Sequence, residues 1–321
     1  MTSHWSRIAA ALLGLAVGGA FLMIAFRGTP PAAVWGALEA GHWGTPSLVV
    51  LSGTALFVYA KAARWRLLLG GAPAIPVAAL SRPVLAGLAL NALVPHAGEF
   101  VRAFSLQRVH GRAASAVLSS IVAERVFDLF GVLALGSAAL SFVNVSAELA
   151  AAFRLLAAVA VVLAALVILA VAAPRLVRRV AAACARPLPA RLGGWVLRQV
   201  DEALAGLAPV RSPVVSVKVF AWSLAQWLAV ALAVYGCAAV VGFSPGVAAA
   251  LLVVVGIVVT FLLPNAPGYA GSVQVAFLVT LKPLGIADEL ALGASIVYQL
   301  LMVLPLVVAG LALMRSSLAK A

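Results

Sequence analysis

Two short stretches of this chain carry charges where charge is costly. Glu99 and Arg102 stand three residues apart in a broken apolar segment, and Glu124, Arg125 and Asp128 lie inside the next long apolar run. Spacings of three and four place side chains on adjoining sectors of a helix, so each set can act together. One ionised side chain at a bilayer centre costs about 2.5 to 3.5 kcal/mol, so such residues usually pair, line a wet cavity, or do both. If the second helix starts near Ser115, Glu124 lies nine residues in. That is about 14 Å deep, close to the midpoint of a hydrocarbon core about 30 Å thick. The two sets are expected to face each other. Three carboxylates against two guanidiniums would leave one negative charge in surplus, able to hold a proton, a cation or an amine. Arg102 and Arg125 can grip a phosphate bidentately, as lysine cannot, while Glu99, Glu124 and Asp128 could meet an ammonium, sugar hydroxyls or a proton. The alternatives are a structural ion-pair network and a polar cavity for a headgroup. Buried pairs are weak stabilisers that apolar packing could replace, which favours the cavity.

Around these charges the sequence marks two breaks. Asn91, Pro95, His96 and Gly98 interrupt the first apolar pair of segments, and Pro264, Pro267, Gly268 and Gly271 interrupt a second. Proline removes a backbone donor and glycine permits close backbone approach, so both breaks read as turns between short helices. Asn265 and Gln274 are the amides of the second break, placed either to cap loose helix ends or to touch a substrate. No glycine loop for nucleotides, zinc spacing or nucleophile elbow is present. No catalytic residue, metal or cofactor is therefore expected, and the chain does not read as an enzyme or an ATP-driven pump.

The elements that must hold these residues follow from composition. The 321 residues are 65% hydrophobic and 10% charged, with a mean hydropathy of +1.16, which excludes an ordinary soluble domain. The fold class expected is an all-α, polytopic integral membrane protein with six spanning helices and two re-entrant helical hairpins. The spans are read at Ile8 to Phe26 (an uncleaved anchor rather than a signal peptide), Thr45 to Leu69, Ser115 to Phe142, Phe153 to Ala172, Phe220 to Val241 and Leu290 to Met314. The hairpins are read at Ile75 to Arg108 and at the run broken by Pro264 to Gly271. The net charge of +13 reflects basic loops held on the cytoplasmic side, which also attract anionic lipid. Lys61, Arg64 and Arg66 are taken to mark one inner helix end, with Trp65 at the interface. Residues 174–218 hold eight basic residues against Asp201 and Glu202, a balance of +6. Within them, Leu197, Val200, Leu204 and Leu207 suggest an amphipathic helix on the inner leaflet. Cys184 and Cys237 imply no disulfide.

Helix, broken pair, helix over residues 45–142 recurs over residues 220–314 in the opposite orientation. Paired broken segments of this kind point to an inverted-repeat transporter with a site at the midplane. The whole chain, 1–321, is read as one transmembrane domain.

Four motifs carry a family resemblance over most of the length: ARWRLLL (Ala63 to Leu69), NALVPHAGEFVRAFSL (Asn91 to Leu106), ERVFD (Glu124 to Asp128) and PNAPGYAGSVQ (Pro264 to Gln274). With them the chain resembles the transmembrane, flippase-like region of lysylphosphatidylglycerol synthases. The resemblance implies a domain that moves a lipid between leaflets, with Asn91, Pro95, Gly98, Glu99, Arg102, Glu124, Arg125 and Asp128 around the path. Many relatives carry Glu where Gln274 stands, so an acid role there is lost. The soluble aminoacyl-transferring domain of longer relatives is not expected here. The expected function is translocation of a phospholipid or lipid-linked headgroup, anionic or zwitterionic, in a bacterial-type inner membrane with both termini cytoplasmic. A non-transporting partner subunit of an envelope lipid or glycolipid synthase is the alternative. Homo-oligomers are compatible with either, and nucleic acid is not an expected partner.

Overall fold

The computed structural model describes residues 4–70, 75–94, 96–143, 147–262 and 265–318, and every regular element among them is helical. Helix α1 is His4–Ala25 and α2 is Pro31–Glu39. The long α3, Thr45–Leu69, leads to a helix pair, α4 (Val77–Leu93) and α5 (Ala97–His110), and then to α6, Ala114–Leu140. After α7, Ala147–Ala172, come α8 (Pro174–Ala185) and α9 (Ala190–Gly206). The second half repeats the order: α10 (Pro213–Val240), a pair made of α11 (Gly246–Thr260) and α12 (Ser272–Leu281), then α13 (Asp288–Tyr298). A π turn at Gln299–Val303 joins α13 to α14, Leu304–Leu318. Pro305 just beyond it has no N–H to return to the preceding turn, which accounts for the loosened register there.

Local chemistry sets many of the ends. Pro31, Pro46, Pro174 and Pro213 stand in first turns, where a missing N–H costs nothing. Helix α5 stops at Gly111, whose left-handed backbone (φ 64°) lets its N–H return to Gln107.

Four helices among the described residues are long and apolar enough to cross a membrane: Thr45–Leu69, Phe153–Ala172, Pro213–Val240 and Asp288–Arg315. The six expected spans are therefore only partly matched. The described apolar part of α1 is short, Leu15–Ala25, and α6, though 27 residues long, carries three charges in its middle. Burial ranks the spans: 61% of the apolar stretch of α10 is buried and only 22% of that of α7. Helix α10 is central and α7 turns its apolar surface outward.

At the centre α3 and α10 run antiparallel. Gly53 sits against Ala229 and Ala233, and Gly236 against Pro46 and Val50, the small-residue contact by which membrane helices approach closely. The two halves pack around this pair in corresponding ways. As α3 packs on α4, α10 packs on α11; α4 with α5 and α5 with α6 match α11 with α12 and α12 with α13; α4 on α14 matches α11 on α6. Helix α4 also touches the 3-10 turn Pro267–Tyr269 between α11 and α12, so the second helix pair meets the first.

Two regions differ from the sequence reading. The loop after α1 contains α2, which packs on α13. The basic loop folds into two helices, and α9 lies along α6, with Leu207 in one buried cluster with Val117. Part of the stripe read as facing the inner leaflet therefore faces protein.

Candidate functional site

Four helices deliver the charged residues to one place. Helix α3 brings Lys61, Arg64 and Trp65, α5 brings Glu99 and Arg102, α6 brings Glu124, Arg125 and Asp128, and α10 brings Ser223, Gln226 and Trp227. The turn of the first helix pair aims α5. Asn91 accepts the Gly98 N–H at 2.7 Å and donates to Glu99 at 3.4 Å, and a Cβ at Gly98 would overlap the Gly87 carbonyl. Asn91 thus caps α5 and holds Glu99. His96 takes a left-handed backbone (φ 61°) at the start of that helix, and Pro95 lies outside the described residues.

The inner part of the site is closed. Glu124 is completely buried and accepts from three cations: Lys61, Arg64 at 3.1 Å, and Arg102 at 2.6 Å. Arg64 grips Asp128 with both terminal nitrogens, at 2.5 and 3.1 Å, and donates to Ser223 at 2.8 Å. Gln226 donates to Asp128 at 2.9 Å, and the Trp227 indole donates to the Asp128 backbone carbonyl at 3.0 Å. The Arg102 guanidinium lies 4.0 Å over the Trp65 ring, and the Trp65 indole donates to Ser120 at 3.2 Å. Such contacts suit a weakly hydrated guanidinium in a dry setting.

The outer part is open. Arg125 projects from another sector of α6 and meets Glu99 at 2.5 Å, with 46% and 14% of the two side chains exposed. The second carboxylate oxygen of Glu99 is buried with no hydrogen-bond partner among the described residues.

The facing of the two predicted sets is present, as Arg102–Glu124 and Arg125–Glu99. The predicted charge balance is reversed. Lys61 and Arg64 are buried at 5% and 0% exposure and Trp65 at 0%, so none of the three marks an interface; only Arg66 of that group is exposed. Four cations now meet three carboxylates, leaving one positive charge in surplus. Consistently, the Nε atoms of Arg64 and Arg102 are buried without an acceptor among the described residues. Arg102 is consumed by Glu124 and Trp65, which leaves Arg125 as the exposed guanidinium.

The second helix pair is neutral. Asn265 accepts from Ser272 and donates to the Thr260 carbonyl at 3.3 Å. Gln274 accepts the Gly271 N–H at 2.8 Å and donates to Gln299 at 2.7 Å, which donates to the Gly268 carbonyl at 3.1 Å. Both amides therefore hold the break together. Pro267 opens the 3-10 turn, Gly268 within it has φ 69°, and Gly271 (φ 84°) lies against the Gly18 carbonyl of α1, where a Cβ would not fit. Pro264 lies outside the described residues. Tyr269 of this turn stacks on Phe261 at 4.2 Å and comes within electrostatic range of Arg125 and Glu99.

A model of the lysylphosphatidylglycerol synthase TM region matches residues 11–310, nearly the whole chain. The chain belongs to this family. No curated protein matches it. Membership of the lysylphosphatidylglycerol synthase TM-region family, with the four long apolar helices, makes this a multi-pass membrane protein linked to lipid handling.

In this family member Lys61 and Arg64 are the site residues that sequence reasoning missed. Their three-residue spacing, the same as that of Glu99 and Arg102, was the available signal. Their place in the last third of an apolar helix had a sufficient explanation in cytoplasmic charge bias, so no partner was sought for them.

Proposed function

We propose that the protein is a lipid flippase that passes a phospholipid or lipid-linked headgroup between leaflets of a bacterial-type inner membrane. The observation that carries this reading is the Arg125–Glu99 pair, with Arg125 half-exposed, set beside a buried cluster with one positive charge in surplus. Arg125 can exchange Glu99 for a headgroup phosphate with two parallel N–H donors. Glu99, with one free carboxylate oxygen, receives a hydroxyl or an ammonium. Arg102, Glu124 and Asp128, with Lys61 and Arg64, hold the positive potential that makes this exchange favourable, and Asn91 positions Glu99. Asn265 and Gln274 shape the opposing turn.

The transport path follows from element lengths. Helices α4, α5, α11 and α12 have 17, 14, 15 and 10 residues. At about 1.5 Å per residue each falls short of the 30 Å or so of hydrocarbon. The two pairs are therefore read as re-entrant hairpins. The matched packing of the halves and the antiparallel α3 and α10 support an inverted repeat with the hairpins meeting at the midplane. The basic excess of residues 174–218 is what supports cytoplasmic termini.

Leaflet accessibility of a fluorescent phospholipid in proteoliposomes tests the reading. Arg125→Gln and Glu99→Gln should each abolish most of the exchange while the protein elutes as a folded species. Exchange at the wild-type rate in both variants would remove the headgroup role. A second reading, a non-transporting membrane partner of an envelope synthase, draws support from the closure of the inner network. It predicts a stoichiometric enzyme on gentle purification and no exchange by the wild-type chain alone.

A further inference from the structure

The arm between α7 and α10 has chemistry that the charged site does not use. Both flanking helices include segments able to cross a membrane, and α8 begins at Pro174 with only Ala173 between it and the end of α7 at Ala172. The arm therefore lies at the level of the membrane face where α7 ends and α10 begins. Its inward side is accounted for: Ala185 packs on Gly193, and α9 runs along α6. The outward side is not. Leu176, Val180, Leu192 and Trp195 are 48%, 55%, 45% and 51% exposed. Leu176 and Val180 are four residues apart and Leu192 and Trp195 three, so each pair shares a helix face. Arg175, Arg179, Arg191 and Arg198 are exposed beside them. Among the described residues, the ion pair within the arm is Arg178–Asp201 at 2.9 Å, which leaves these four arginines outside it.

Exposed apolar side chains beside free guanidiniums are a liability in water and an anchor at a bilayer surface. The local balance of +6 at the level of the membrane face argues for an anionic leaflet as the occupant, since such a leaflet attracts basic segments beside spanning helices. We propose that α8 and α9 form an interfacial anchor for an anionic bilayer surface, separate from the Arg125–Glu99 site. Leu176, Val180, Leu192 and Trp195 lie among the acyl chains, and the arginines extend to the headgroup phosphates. The anchor is fastened to the helix that carries Glu124, Arg125 and Asp128: Ser115 donates to Glu202, and Gly206 lies against Ala116 and Ser119.

The test uses the full chain in phosphatidylcholine vesicles with increasing fractions of phosphatidylglycerol. Since the chain has seven tryptophans, the Trp195 signal is taken as the difference between the wild type and Trp195→Phe. Brominated acyl chains should quench that component, quenching should rise with the anionic fraction, and high salt should reverse the rise. In Arg175→Gln/Arg179→Gln/Arg191→Gln/Arg198→Gln the rise should be lost. If that variant does not fold, the composition and salt dependence of the wild type decides alone. Quenching by aqueous iodide instead, shielding from both quenchers as under a second protein chain, or indifference to anionic lipid would each overturn the proposal. The readout does not depend on lipid movement, so it fails or stands apart from the flippase reading.

Discussion

The two helix pairs, α4 with α5 and α11 with α12, share a design and differ in chemistry. Each breaks at a turn containing a left-handed residue other than glycine, His96 at φ 61° in one and Tyr269 at φ 59° in the other. Each packs closely through glycine, Gly98 on Gly87 and Gly256 on Ala276. The first then presents Glu99 and Arg102, whose ion-pair partners come from α6, while among the described residues the second presents the amides Asn265 and Gln274, satisfied by Ser272, Gln299 and nearby backbone. A buried charge is tolerable only with its counter-charge in place. The first pair therefore depends on α3 and α6 being packed, and the second closes with its own caps, Gln299 and α1. One half of the molecule supplies the field and the other supplies a neutral wall.

That contrast can be broken at graded cost. Glu124→Leu should have the largest effect, because it leaves Lys61, Arg64 and Arg102 with Asp128 alone; removing one partner of a buried ion pair costs about 3 to 5 kcal/mol. Loss of monodisperse protein in detergent, or a marked drop in melting temperature, would show it. Gly98→Val comes next, since its side chain would meet the Gly87 backbone rather than a movable group, an overpacking cost of at least about 1 to 3 kcal/mol. The matching Gly256→Ala meets the Thr280 hydroxyl at 3.0 Å and the Ala276 carbonyl at 3.2 Å, where a Cβ at Gly98 would overlap the Gly87 carbonyl outright. Its neighbours need to give by only a few tenths of an ångström, so its melting temperature should stay nearer the wild type. Gln274→Leu sharpens the neutral side: it orphans the Gly271 N–H and half of Gln299, at about 1 to 3 kcal/mol. Denaturation should show a loss smaller than that of Glu124→Leu. Lys282→Gln should have the smallest effect. Its pair with Asp288 is 61% exposed on the lysine side, and such surface pairs contribute about 0 to 1 kcal/mol. Equal losses for Lys282→Gln and Lys61→Gln would refute the distinction between wet and dry lysines drawn here.

Much of the fold was legible because its signals are local. The first break between Leu93 and Ala97 and the second between Thr260 and Ser272 fall where proline and glycine interrupt apolar runs. The pairing of Glu99 and Arg102 with Glu124 and Arg125 was legible for a related reason, since charges at that depth need partners and no nearer ones were in sight. Helix α2 was missed because nine residues after a proline pair carry too short a pattern to read as a helix. Part of the α9 stripe was assigned to lipid because a membrane surface and the flank of α6 ask for the same apolar spacing.

By itself the sequence determined an all-helical membrane chain, the order of its long and broken segments, and the presence of a charged centre near residues 99–128. Only the tertiary structure decided the sign of that centre. Lys61 pairs with a residue 63 positions away, and Arg64 reaches partners 64 and 159 positions away. Hydropathy reports how each segment meets a solvent, and it contains no term for which buried segments meet each other. A lysine at a membrane face and a lysine locked on Glu124 read alike until α3 is packed against α6.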